Sequence, residues 1–519
     1  MGEGLLSLYR TKIKREYKIA FFATLITALL IHIYKFTNTL PNHDSLWNYY
    51  SNQNMTISGR WFLQWSCGIS SYYDLPWING LLSCIYIALT NCIIVAIFQL
   101  QNPFIIWLSG ALLAASPATT ETFFFEFTAD GYFLAMLMAA MAAYLSRIED
   151  KKRWHQVLAI ILLVLSLGTY QAYISFALIL AICYFLEALL ENRFNKNDYF
   201  KWVVRQILTY SFSFLLYYII WKIILKTTHT VATSYQGIAT ASLSYKNFVF
   251  GIKNALRSFS FYIFQWNIIE HGFTLYNILN ILFLLALAAG GLYAIKKSNI
   301  VKRHYQFIFM IFCLLAILPF AYIFCFVSGE TSYGLRMEES LTVLFIFELV
   351  IYEKWIRYNK IKNIIGILLT LTVYNNSIMA NISYFYLNLS YERSYSDSVL
   401  ILNQINSIQN INKCKKLVVL GDRIIKVAKE DDPVTGKSVT SGEMFIFKST
   451  LDKSLLLNQE HTLDFLNATY GLDLHEVTKT EKNYLIKSVE AEKMPCWPEQ
   501  GSIKVVDDII VIKFGEEYS

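Results

Sequence analysis

Apolar residues in this chain gather in long unbroken runs, without the three-to-four spacing of a half-buried helix or the alternation of a half-buried strand. Such runs lie near 17–36, 77–99, 103–117, 129–146, 156–169, 172–190, 203–225, 275–295, 305–327, 339–353 and 363–383. Most approach the roughly 20 residues that a helix needs to cross the hydrocarbon of a bilayer. The pattern predicts an all-α polytopic membrane bundle of about eleven transmembrane helices. Two runs, 103–117 and 156–169, are only about 14 residues and cover roughly 21 Å of a core near 30 Å. Their outer ends, Ser116-Pro117-Ala118-Thr119-Thr120 and Thr169-Tyr170-Gln171, are therefore expected below the lipid surface. Irregular backbone persists there only against protein or a watery cavity, so an outward-facing cavity is expected.

Lysine and arginine supply the orientation. The N-terminus and the connections 147–153, 193–205, 296–303 and 354–362 are basic and are expected in the cytoplasm. The alternate connections are nearly free of cations, with only Arg60 in 37–76, none in 117–128 and only Arg336 in 328–338. The loop 226–274 carries Lys226, Lys246, Lys253 and Arg257, but the charge rule weakens as loops lengthen. An odd number of crossings from an inside N-terminus leaves the C-terminus outside. The chain then divides into a transmembrane domain, 1–383, and an extracytoplasmic C-terminal domain, 384–519. Strand-like runs at 417–420 and 509–514 make the latter a small α/β domain.

Composition narrows this picture. With 55% hydrophobic and 16% charged residues and a mean hydropathy of +0.39, the chain is too apolar for a soluble multidomain protein. The net charge of +7 is spread over short clusters between apolar runs, which argues against nucleic acid as a partner. No small-residue cleavage site follows the first apolar run before Pro41, so that run is expected to stay as a helix. The eight cysteines show no CxxC spacing and no neighbouring His pair, which leaves no metal site through sulfur. Cys414 and Cys496 both fall in the outer domain, where an oxidising compartment would permit a disulfide.

The outer connections hold the residues with chemistry. In the first, Asp44 follows the first helix and stands beside His43. Capping of a short helix by Asp44 or Ser45 is the simple reading. Ile57, Trp61 and Trp65 recur every four residues, which predicts an interfacial helix with an aromatic stripe toward lipid. Asp74, Glu121, Glu126, Asp130, Glu330 and Glu338 also lie at or near outer helix ends. Glu126 and Asp130, four apart, share a helix face, pointing either to a cavity or to a common cation. Arg60 and Arg336 resist the outward bias against cations. A guanidinium fork fits a phosphate, and the simple alternatives are an ion pair of Arg336 with Glu338 or Glu330 and snorkelling of Arg60 to headgroups. Tyr170, Gln171 and Tyr173 offer aromatic faces with hydroxyl and amide groups, a surface for sugars or an ordinary aromatic belt. Glu270-His271 is a further titratable pair.

The order of Asp44, Ser58-Gly59-Arg60-Trp61, Phe127-Thr128-Ala129-Asp130-Gly131-Tyr132, and Pro495-Cys496-Trp497-Pro498 with Gly501-Ser502 resembles the phage-type serotype-converting O-antigen glucosyltransferases. These are polytopic enzymes that use polyprenyl-phosphate sugars. The resemblance implies transfer of a hexose, glucose in that family, from undecaprenyl phosphate to lipid-linked O-antigen, with no cofactor. It implies Asp44 as the general base, with Glu126 or Asp130 as a second carboxylate if the displacement is double. Arg60 and Arg336 would bind the donor phosphate, and Trp61, Tyr170 and Gln171 would contact sugar. Its setting would be the bacterial inner membrane with a periplasmic active site, served by a donor synthase and a donor flippase. An O-antigen polymerase or a lipid-linked-oligosaccharide flippase would share much of this pattern; a transporter would add repeated halves and charges at helix centres, neither of which is seen.

Overall fold

Proline and polar caps set where several of the helices begin. The structure, a computed structural model, describes residues 13–150, 152–234, 244–264, 274–328, 333–408, 414–422, 429–431, 438–440 and 454–515. The first helix, α1 (Arg15–Thr37), is followed by the short α2 (Leu63–Cys67) and by α3 (Pro76–Phe98). Then come α4 (Pro103–Ala114), α5 (Pro117–Phe124), α6 (Glu126–Leu145), α7 (Arg153–Thr169) and α8 (Tyr173–Glu191). Helices α3, α4 and α5 all start with proline at a position whose N–H needs no partner. Asn102 caps α4 and Ser116 caps α5, so Ser116-Pro117 ends one helix and starts the next with a 42° bend. The set continues with α9 (Lys196–Thr227), α10 (Tyr245–Phe264), α11 (Leu275–Ser298), α12 (His304–Ala321), α13 (Glu339–Lys354) and α14 (Asn359–Asn406).

Each of the eleven apolar runs falls on a helix, but not every one of these helices reaches spanning length. Among the described residues, eight helices are long and apolar enough to span a membrane, or nine if α4 and α5 form one bent span. Helices α7 and α13, with 17 and 16 residues, are too short to be counted with them. The chain is a membrane protein on this evidence. Exposed Ile207, Leu208 and Phe212 on α9, Leu285 and Leu292 on α11, and Phe312 and Leu315 on α12 form apolar faces that only lipid suits. Helix α8 is apolar and buried through most of its length, as an inner helix must be, with its acids Glu187 and Glu191 confined to its last two turns.

Small residues let the inner helices approach. A Cβ on Gly80 would meet the Phe36 ring at 2.3 Å, and one on Gly110 would meet Thr24 Oγ1 at 1.9 Å. Beside Gly110, Asn91 Nδ2 donates to Thr24 Oγ1 at 2.9 Å and Ser109 Oγ donates to Asn91 Oδ1 at 2.8 Å. Close backbones and interhelical hydrogen bonds replace the hydrophobic drive that lipid removes. The four internal basic connections meet at one end of the helices: Arg205 donates to Asp150 O at 2.6 Å, Lys297 to Trp355 O at 2.6 Å, and Arg303 to Leu189 O at 3.2 Å. Glu187, buried, is paired there by Lys354 and Arg193.

The expected interfacial helix is not continuous. Thr56–Ser58 forms one 3-10 turn, Gly59 reverses the chain at φ +81°, and α2 starts only at Leu63. Ile57 and Trp65 are exposed while Trp61 is 8% exposed, so the three do not form one lipid-facing stripe. The amphipathic element lies in the long loop instead. Helix α10 exposes Phe248, Ile252 and Leu256 together with the exposed cations Lys246, Lys253 and Arg257.

The chain divides into two compact units, Met1–Thr37 with Ser51–Asn381, and Asn38–Tyr50 with Ile382–Ser519. Helix α14 continues well past the apolar run 363–383 and contributes to both. The second unit holds β1 (Lys416–Leu420), β2 (Lys429–Asp431), β3 (Ser438–Thr440), α15 (Gln459–Tyr470), β4 (His475–Glu476), α16 (Lys479–Ile486), α17 (Val489–Glu492), β5 (Ile503–Val506) and β6 (Ile509–Lys513). Its main sheet has the order β4-β1-β6-β5, with β1 parallel to both neighbours and β5 antiparallel to β6. Leu417, Val419, Ile510 and Ile512 pack on one face with Phe465 and Leu466 of α15, while Val418, Leu420, Ile509 and Val511 pack on the other with Leu485 and Met494. Both faces are covered, so these strands read as continuous apolar runs. No disulfide joins Cys414 and Cys496.

Candidate active site

The turn at Gly59 presents Arg60, and distant side chains fix that turn. Gln171 Nε2 donates to Ser58 O at 2.9 Å, the Tyr217 hydroxyl to Gly59 O at 3.1 Å, and Trp221 Nε1 to Thr56 O at 2.7 Å. A side chain at Gly59 would combine a positive φ with a 2.4 Å approach to the Tyr217 hydroxyl, so glycine is required. The Arg60 guanidinium then lies 5.1 Å from the centre of the Tyr170 ring and donates to the Tyr132 hydroxyl at 3.0 Å. Tyr132 and Tyr170 are stacked, with ring centres 4.1 Å apart and planes 10° apart.

Arg336 belongs to another element, the 3-10 turn Leu335–Met337 ahead of α13. Its guanidinium lies over the Phe125 ring at 3.8 Å, and its backbone N–H donates to Glu121 Oε2 at 2.5 Å. Burial pushes the Tyr170 phenol up to about 12, while Arg336 and Arg60 both pull it down. Both arginines thus act electrostatically on Tyr170, Arg60 from against its ring. Arg60 Nε and Trp61 Nε1 are buried donors without an acceptor among the described residues. Trp61 is packed against Gly168, where a Cβ would come within 2.7 Å of the indole. Gln171 sits beside the site, and its amide nitrogen donates to Ser58 O and to the Tyr217 hydroxyl, bracing the turn that carries Arg60. Glu339 receives hydrogen bonds from Ser116 Oγ at 2.8 Å and Thr119 Oγ1 at 3.2 Å, tying α13 to the bend between α4 and α5.

Glu126 and Asp130 belong to a different cluster. They do share one face of α6, and the common-cation reading holds for Glu126, whose Oε2 accepts from Lys35 Nζ at 2.6 Å with both side chains buried. Asp130 Oδ2 accepts from Ser70 Oγ at 2.6 Å. Asp74 joins this group through Asn79 Nδ2, which reaches Asp74 Oδ1 at 3.4 Å and Glu126 O at 3.3 Å. Burial pushes the Asp74 carboxyl up to about 6, with Lys35 opposing. On α6, Tyr132 contacts the arginine site while Glu126 and Asp130 contact α1 and the segment around Ser70, so the helix separates the two groups.

Asp44 lies in the second unit, in the 3-10 segment His43–Trp47. The cap there is Asn42, whose side chain accepts from Ser45 N and closes a capping box with Ser45. Capping therefore does not explain Asp44, which is about half exposed and stands 3.5 Å from His43 Nε2. His43 in turn contacts the His461 ring of α15, with centres 5.4 Å apart. Glu270, His271 and Glu330 lie outside the described residues. Lys35, Ser70, Tyr132 and Tyr217 were not singled out from sequence. Lys35 carried a signal, since an ionisable group at the end of a membrane helix demands a partner.

A family model for glucosyl transferase GtrII matches residues 33–352. No curated protein matches the chain closely enough to count as a relative. The matched stretch carries Asp44, Arg60, Glu126, Asp130, Tyr170 and Arg336 and exceeds half of the chain, so this protein belongs to the GtrII glucosyl transferase family.

Proposed function

We propose that this protein moves one glucosyl group from a polyprenyl phosphate to lipid-linked O-antigen at the periplasmic face of the bacterial inner membrane. One observation carries the donor assignment: the Arg60 guanidinium lies against the Tyr170 ring, and its Nε and the neighbouring Trp61 Nε1 are buried donors without an acceptor among the described residues. A phosphate supplies the acceptors that such donors require. The gathering of the basic connections at the opposite end supports the orientation, since those clusters stay in the cytoplasm.

In the reaction, an acceptor hydroxyl oxygen attacks the anomeric carbon as the bond from that carbon to the phosphate oxygen breaks. The acceptor proton passes to a carboxylate, and the departing phosphate gathers negative charge that Arg60 and Arg336 stabilise. The family resemblance assigns the proton to Asp44, whose carboxylate is not engaged as a cap. A single displacement of this kind inverts the anomeric centre. Pairing of Glu126 with Lys35 makes it a poor nucleophile for a double displacement.

The test is expression in a host of defined O-antigen, with glycan mass and linkage analysis. Wild type is expected to add one hexose per repeat, and Asp44→Asn to add none at equal membrane abundance. Unchanged repeats with altered chain length would instead identify a polymerase.

A further inference from the structure

Helices α8, α9 and α12, all in the first unit, part from one another and leave an apolar groove of about 630 Å³ between them. That volume falls within the roughly 300–1,000 Å³ of sites that hold small organic ligands. Aromatic rings close the inner end. Phe185 stacks on Trp202 with ring centres 4.6 Å apart and meets Phe309 edge-on at 5.8 Å. Trp202 Nε1 donates to Ser146 O at 2.7 Å, so this end lies beside the basic connection 147–153.

The other end adjoins the arginine site. Ile174, in the groove wall, follows Tyr173, whose ring meets the Tyr170 ring edge-on with centres 5.7 Å apart, and Arg60 lies against Tyr170. On α9, Phe214 of the wall is one turn from Tyr217, which clamps the Gly59 turn. Past α12, the Phe324 N–H donates to the Tyr333 hydroxyl at 3.0 Å, two residues before the 3-10 turn that carries Arg336. The elements that fix the arginines therefore also form a groove leading away from them.

Length and charge separate the possible occupants. From Ile174 to Phe185, α8 covers roughly 17 Å, more than half of a hydrocarbon core near 30 Å. A phospholipid chain stays within its own leaflet, whereas a polyprenyl chain runs on past the midplane. No charged side chain lines the groove among the described residues, so an anionic headgroup finds its partners at the arginines and only its chain in the groove.

We propose that this groove binds the polyprenyl chain of the donor and selects donors by chain length. This rests on the donor reading given above. Because the chain is already in hydrocarbon, the selection comes from packing against the groove wall and not from escape from water.

The experiment compares glucosyl undecaprenyl phosphate with glucosyl geranyl phosphate, using full-length protein in lipid nanodiscs. The geranyl chain is too short to reach the inner half of the groove. Cys313→Trp on α12 and Val203→Trp on α9 fill that half from half-buried positions, and Leu315→Trp, exposed outside the groove, is the control. Each groove variant is expected to lower kcat/KM for the undecaprenyl donor about 10-fold, the scale of overfilling a packed apolar site. The loss lies in KM, the geranyl donor is used as by wild type, and Leu315→Trp matches wild type with both. Partitioning into the bilayer is common to all the proteins, so it cancels from these ratios. Equal losses for both donors in both groove variants, or no loss for either, would overturn the groove assignment and leave the donor reading standing. A wild type inactive with both prenyl donors would overturn the donor reading itself, and this inference with it.

Discussion

Arg60→Ala is expected to lower glucosyl transfer about 1000-fold while leaving the protein folded, the upper range for removing one stabiliser of transition-state charge. The guanidinium is held by the Tyr132 hydroxyl and the Tyr170 ring, and the tyrosines remain stacked without it. Loss of this cation leaves the departing phosphate with Arg336 alone. Arg60→Lys keeps the charge but not the planar fork, so it should retain more activity than alanine and less than wild type. The loss is expected mainly in kcat, since charge on the phosphate grows as the bond breaks. Steady-state kinetics on the three proteins checks this, and wild-type rates in Arg60→Ala would remove the residue from the mechanism.

The largest stability effect is expected at Lys35. Its ammonium and the Glu126 carboxylate are both buried and 2.6 Å apart, so Lys35→Met leaves a buried carboxylate without its cation. Breaking a buried pair on one side costs about 3–5 kcal/mol, whereas replacing both partners with neutral groups is far milder. Asp74 reinforces the loss, because Lys35 is what opposes the rise of its carboxyl to about 6. Thermal unfolding in micelles should therefore show a large drop for Lys35→Met and a partial return for Lys35→Met with Glu126→Gln. A single-variant effect below about 1 kcal/mol, or no rescue in the double variant, would contradict the ion-pair account.

The helices were legible because the signal is direct: a run of apolar residues as long as the bilayer is thick has few other uses. The connections were less so. Ile57, Trp61 and Trp65 have helical spacing, yet Gly59 takes a positive φ that depends on Tyr217 and Gln171, residues far along the chain. Local spacing carries no trace of such a tertiary clamp. The cap of the Asp44 segment was legible in Asn42 and Ser45, a capping box three residues apart, and the nearer acid obscured it.

Among the candidate residues, spacing placed Glu126 and Asp130 correctly on one face but could not say which cation met them, since Lys35 lies 91 residues away from Glu126. Arg60 and Arg336 stood out as cations where cations are rare, and that electrostatic oddity survived folding, because both lower the pKa of the buried Tyr170 phenol. Glu338 shows the opposite case. An acid two residues from an arginine reads as its partner, but the turn directs the two side chains to different neighbours.

The central claim is that paired guanidinium groups hold a lipid phosphate from which glucose departs. It is tested most directly by offering purified protein in nanodiscs radiolabelled glucosyl prenyl phosphate or labelled UDP-glucose with a lipid-linked O-antigen acceptor. The expected result is label in the acceptor from the prenyl phosphate only, lost when Arg60 and Arg336 are both alanine. Label from the nucleotide sugar, or undiminished transfer by the double variant, would contradict it.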